Sequence, residues 1–167
     1  MGTRVRRVVW VAILAGLVLG LDSRGGSAQT AKAKDPFIGR WVLDRGNSTF
    51  SGAAPERRTM VIEAVGNLIK QIVDTTGANG ATDRSEFTAA FDGKDYPISN
   101  SVLDFVSLKR ISANKVERLG KRRFSKDQTV ETQTREASAD GKTLTFTTNG
   151  TDFDGNEYAT VQIFTRE

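Results

Sequence analysis

Five glycine-bearing dipeptides, Gly66-Asn67, Asn79-Gly80, Asp92-Gly93, Asp140-Gly141 and Asp154-Gly155, cut the chain into short segments of alternating polarity. No other feature narrows the choice of fold as far. Asn-Gly and Asp-Gly steps favour tight hairpins, because the central positions must accept positive φ. The segments between them repeat with period two, the spacing of strands with one face buried. That pattern predicts strands over Phe37–Leu43, Arg58–Val65, Leu68–Asp74, Arg84–Phe91, Phe105–Ile111, Lys115–Phe124, Thr129–Ala137, Thr143–Asn149 and Glu157–Arg166. Lys94–Ile98 offers a short extra strand, which Pro97 would confine to an edge or a strand end. Asn47–Glu56, with Gly52 and Pro55, reads as a loop or a short helix over one barrel mouth.

Antiparallel neighbours joined by short hairpins make an up-and-down meander, and closure hides the edges of so many strands. The expected fold is all-β: a single up-and-down antiparallel β-barrel of about 8–10 strands over residues 36–167. An outer-membrane barrel would need strands of about 9–11 residues and aromatic girdles. Several segments here are shorter, and beyond residue 28 the chain has one Trp and two Tyr.

The first 28 residues read as an export signal. Arg4, Arg6 and Arg7 precede an apolar run from Val8 to Leu21, and Gly26-Ser27-Ala28 supplies small residues for cleavage after Ala28. Ala31-Lys32-Ala33 is a second small-x-small candidate, farther from the apolar run. As a helix the run would reach only ~21 Å, against roughly 30 Å of hydrocarbon. Residues 29–35 then form a polar leader, no later run is long enough for a membrane-spanning helix, and the protein is expected in the periplasm or the medium. The signal carries four Arg and one Asp, so it holds most of the +4 net charge of the whole chain. What remains is near neutral, and Lys121-Arg122-Arg123 is its one tight basic run, which does not make a nucleic-acid surface.

The sequence has no Cys and no His. Cys–His and Ser–His–Asp chemistry is therefore excluded, as is zinc held by imidazole or thiolate. An exported domain without disulfides must rely on its core. Carboxylate chemistry passes this filter, yet Asp92, Asp95 and Tyr96 have the spacing of a polar turn and no partner nucleophile. Asp152–Glu157 looks like an oxygen-rich cation loop, but its glycine follows the second Asp at once, unlike an EF-hand, and a hairpin turn is expected. No catalytic residues, metal or cofactor are therefore assigned. Lys109, Arg110, Arg118 and Lys121–Arg123, diluted by Glu117 and Glu131, read as a solvated barrel exterior.

Alternation also assigns faces. Phe37, Gly39, Trp41 and Leu43 share one side of their strand. Phe87 and Phe91, Val106 and Leu108, Leu144, Phe146 and Thr148, and Thr160, Gln162, Phe164 and Arg166 group likewise. Phe87, Phe91, Leu108, Phe146, Gln162 and Phe164 are the candidate ligand contacts, and an interior mixing Phe with Thr and Gln suits a partly wet pocket.

Phe37 and Gly39-Arg40-Trp41 together resemble the first-strand motif of the calycins, the group of the lipocalins and fatty-acid-binding proteins. The resemblance implies a Trp packed across the closed end of the barrel with a basic residue of the last strand, here Arg166, over its ring. Asp35–Leu43, Phe91–Pro97, Val106–Ile111 and Asp140–Thr145 are similar to segments of small exported bacterial proteins of lipocalin-like type, across most of the mature chain. A β-barrel with a small-molecule pocket is implied, and no catalytic residues are. In fatty-acid-binding proteins an Arg-x-Tyr pair on the last strand holds a carboxylate. Gln162 and Phe164 stand at the matching positions, and Gln cannot form a bidentate ion pair. A neutral or weakly polar, largely apolar ligand carried by a monomer is the leading expectation. The alternative is a protein-binding module, such as an exported inhibitor or envelope-assembly factor, using loops at the open end. A cavity of several hundred Å³ favours the first, and a filled interior with an exposed apolar patch the second.

Overall fold

The computed structural model describes residues 35–124 and 129–167. The expected signal and all of the leader except Asp35 lie outside the described residues. Ten strands follow one another: β1 (Gly39–Thr49), β2 (Arg57–Val65), β3 (Leu68–Thr76), β4 (Thr82–Ala89), β5 (Asp92–Ser99), β6 (Phe105–Ser112), β7 (Lys115–Lys121), β8 (Thr129–Ala137), β9 (Thr143–Thr151) and β10 (Glu157–Arg166). Each pairs antiparallel with its sequence neighbours, and β1 pairs with β10 to close the barrel. The all-β meander closed on itself is thus the observed architecture, with no helix among the described residues.

Two local expectations change. Residues 47–49 continue β1 rather than entering a loop or short helix. There Ser48 Oγ donates to Asp44 O (2.6 Å) and accepts from Ile163 N (2.9 Å), so a hydroxyl carries the ladder past an irregularity in the β1–β10 register. β5 is a full strand, longer than Lys94–Ile98, and Pro97 lies inside it. Ile98 N donates to Asp104 O on the β6 side, so the nitrogen of Pro97 faces β4. That seam is the thinnest in the barrel, with only Glu86 opposite Ser99 and Phe87 opposite Ile98.

The hairpins use their dipeptides less symmetrically than expected. Val65 pairs with Leu68 across Gly66-Asn67, and Gly66 alone takes positive φ (+62°), the pattern of a type II′ turn. At Asn79-Gly80, Asp140-Gly141 and Asp154-Gly155 the loops are longer and again only the glycine has positive φ. The acidic or amide side chains cap the loop instead. In the last hairpin Asp152 Oδ1 accepts from Asp154 N and Asn156 N, both at 2.9 Å, so that loop is a side-chain-capped turn. The side-chain amide of Asn156, which donates to Asp152 Oδ2 at 3.1 Å, and then these backbone donors hold the Asp152 carboxyl below its ordinary pKa.

The core fills the closed end. Phe37, Trp41, Met60, Ile62, Ala89, Leu108, Val116, Leu144 and Phe164 are buried there. Trp41 has no exposed surface, and its Nε1 donates to Phe37 O at 3.0 Å. The Arg166 guanidinium stacks 4.1 Å from the Trp41 ring, as the motif implies, and donates to the carbonyls of Gly141, Ile38 and Pro36 at 2.6–2.8 Å. Gly39 (φ +154°) is required beneath it, because a Cβ there would overlap Arg166 Nη1. A second cation, Arg110, pairs with Asp35 and lies 4.0 Å from the Phe91 ring.

Candidate ligand cavity

Above this plug the barrel holds a cavity of about 280 Å³. Inward positions of β2, β3, β4, β5, β7, β8, β9 and β10 supply its walls, with Ser101, Val102 and Leu103 of the β5–β6 loop across the mouth. Met60, Val73, Ile98, Phe146 and Phe164 give apolar surface, while Gln71, Gln133, Thr148, Thr160 and Gln162 give neutral polar groups. The mixture of Phe, Thr and Gln follows from the alternation of β9 and β10, whose inward residues include Phe146, Thr148, Thr160, Gln162 and Phe164.

The charges on this wall come from residues whose sequence setting suggested solvent. Arg118, placed on the barrel exterior in the sequence reading, is buried inside and pairs with Glu131. The reason is parity: Val116 and Arg118 alternate inward on β7, so the strand that buries Val116 also buries Arg118. The basic residues of this region therefore do not form one stripe. Glu131 also accepts from Tyr158 OH at 2.9 Å. Burial first, and then the charge and hydrogen bond of Glu131, push the Tyr158 phenol well above its usual pKa.

Arg135 lies on the same β8 face as Glu131 and is only 3 % exposed. Its Nε donates to Gln133 Oε1 (2.6 Å) and its Nη1 to Gln71 Oε1 (2.7 Å). Its guanidinium lies 4.6 Å from the Phe146 ring and 6.0 Å from that of Phe87. These hydrogen-bond partners are neutral. Burial, reinforced by the like charge of Arg118 and only partly opposed by Glu131, pulls its pKa down. Arg58, from β2, donates to Gln162 Oε1 and Thr75 Oγ1 at 3.0 Å. Burial lowers its pKa as well, with Glu131 opposing. Among the described residues the wall thus carries three guanidinium groups and one carboxylate, and that carboxylate is already engaged.

Of the candidate contacts, Phe146, Gln162 and Phe164 stand on the cavity wall. Phe87 and Leu108 are packed in the core, and Phe91 lies at the closed end beneath Arg110. Arg58, Gln71, Arg118, Glu131, Gln133, Arg135 and Tyr158 were not singled out as contacts. The signal that could have found the β8 set is its register with Ala137, an apolar residue sharing its face. Asp92, Asp95 and Tyr96, expected in a polar turn, lie on β5 instead: the two carboxylates are exposed and Tyr96 is half-buried, with Tyr96 OH donating to Asp92 and Lys121 paired with Asp95.

No family model matches the chain, and no curated protein matches it. Among solved structures, it is similar to zebrafish ileal bile acid-binding protein complexed with cholic acid, at 13 % identity and a TM-score of 0.47, over 79 % of this chain and 99 % of that one. The tryptamine complex of the amine-binding protein of Rhodnius prolixus aligns at 12 % identity and 0.41, over 80 % and 65 %. The siderocalin Ex-FABP aligns at 9 % identity and 0.37, over 79 % and 71 %.

Proposed function

We propose that the protein binds a small anionic amphiphile inside the barrel, an apolar body carrying an acidic group. Arg135 carries this reading. A guanidinium taken out of water costs several kcal/mol unless it is well paired, and two amide oxygens return only part of that. A ligand carboxylate or similar anion would return more through a charge-assisted pair. Met60, Val73, Phe146 and Phe164 offer the apolar body its contacts. The missing Arg on the last strand is offset from β2, on the other side of β1, since Arg58 there already donates to Gln162.

The test compares ligands of one carbon skeleton, an acid and its primary alcohol, by calorimetric titration. The acid should bind at least about tenfold more tightly, a modest share of what a desolvated charge pair is worth. Arg135→Met should erase that preference without unfolding the barrel, because replacing a buried ion by an apolar side chain is often neutral or stabilising. Equal affinity for acid and alcohol, or an unchanged preference in Arg135→Met, would sink the reading. Export rests on residues 1–28 alone, and an exported protein whose mass begins at Gln29 would support it.

A further inference from the structure

We propose that a cleft on the barrel rim, between Val102, Phe124, Val130 and Phe153, receives the hydrocarbon tail of the ligand while its acid end lies inside. The inference rests on the anionic-amphiphile reading above and adds a second site and a chain length to it.

Three observations carry it. Val102, Phe124 and Phe153 are 63 %, 95 % and 74 % exposed, and all three line this one cleft. Single exposed apolar residues are ordinary, whereas a cluster beside an opening marks a surface that something covers. Phe153 is also held in place. Arg122 stacks 3.9 Å from its ring and is tied beneath it by the carbonyls of Asp152 (3.2 Å) and Thr151 (3.3 Å).

The cleft adjoins the interior at the β5–β6 loop. Ser101 and Val102 line both the cleft and the cavity. The interior alone, at about 280 Å³, falls just short of the roughly 300–1,000 Å³ of most small-molecule sites. A longer amphiphile must therefore extend past the mouth.

Charge sets the direction. Among the described residues the cleft carries Asp104 and Asp152, and the cation that lines it there, Arg122, is engaged with carbonyls and a ring. An acid group is disfavoured there and favoured at the guanidinium-rich interior, so the acid end enters first and the chain trails outward along Val102.

Straight-chain acids of about six to sixteen carbons, titrated against the full chain, test this, with affinity expected to rise about twofold per added methylene up to the longest, half of what full burial gives. Phe124→Asp and Phe153→Asp, both at exposed positions and neither on the interior cavity wall, should weaken the longest acid by about tenfold or more and leave the shortest within about twofold. A plateau at short chain length in the unmodified protein would overturn the tail site while leaving the interior reading intact. So would variants that affect short and long acids alike. A fall from dimer to monomer in native mass spectra of Phe124→Asp, with ligand affinity unchanged, would assign the cleft to a second copy and overturn the proposal. Failure of every acid to bind would overturn both readings.

Discussion

Trp41→Ala should strip the closed end of its largest fixed contact. Trp41 is fully buried, and truncating a buried Trp to Ala costs about 3–5 kcal/mol in transfer and cavity terms. The indole N–H leaves Phe37 O unpaired, which adds about 1 kcal/mol. Arg166 loses the ring beneath it, worth about 1 kcal/mol, but keeps its three carbonyl partners. The sum is about 5–7 kcal/mol, a large share of the 5–15 kcal/mol that holds a typical domain together. At roughly 3–4 °C per kcal/mol for a domain of this size, the melting temperature should fall by about 15–28 °C. Far-UV circular dichroism is the proper probe, because Trp41 is the only Trp beyond residue 28 and the variant loses its fluorophore. Trp41→Phe should recover most of the loss, since it restores an aromatic ring and lacks only the donor. A melt of Trp41→Ala within about 3 °C of the parent would refute the plug, since such a shift corresponds to only about 1 kcal/mol. Equal costs for Arg166→Leu in the parent and in Trp41→Ala would show that the stacking contributes nothing.

Gly39→Ala should destabilise by about 2–4 kcal/mol in urea unfolding, because the new Cβ displaces Arg166 from its carbonyl clamp and the φ of +154° is one that residues with a Cβ rarely adopt. At Gly150 the ring of Tyr158 comes so close that a Cβ would lie 2.5 Å from Cζ. Gly150→Ala should therefore push Tyr158 off Glu131, and a changed near-ultraviolet tyrosine spectrum with the fold retained would register it. The native state holds the Tyr158 proton more firmly than the unfolded chain does. Its contribution to stability is therefore fully present below about pH 10 and declines above it, as the unfolded phenol ionises first. Melts between about pH 8 and pH 11 should fall less steeply for Tyr158→Phe than for the parent, and parallel slopes would refute the Tyr158–Glu131 coupling.

The strands were legible because most of them bury one face and show it. β8 and β10 begin and end where alternation places them, at Thr129–Ala137 and Glu157–Arg166. The plug was legible as well, since Phe37, Gly39, Trp41 and Arg166 form a motif whose members meet in space. The interior charges were not. A charged residue in a strand defaults to solvent, and period two alone does not say which face is inside. Only joining Arg118 to Val116, and Arg135 to Ala137, reveals that those guanidinium groups share the buried side. The partner of Gln162 was illegible for a different reason. The strand position of Gln162 was read correctly, but its partner Arg58 arrives from β2, 104 residues away in the chain, and no local pattern announces such a pair.

The pairing of Trp41 with Arg166 also bears on how the barrel is made. Every other seam joins consecutive strands, so each can zip soon after its hairpin turns. The seam between β1 and β10 joins the two extremes of the domain and must bear the loop-closure entropy of nearly all of it. Folding should therefore be slow for a domain of this size and limited by that last closure. Until residues 157–166 have been synthesised, the meander carries two bare edges and has no way to seal them. The arginine that caps the tryptophan is thus the final latch of an assembly process, and a nascent chain must be kept from pairing with its neighbours until it arrives.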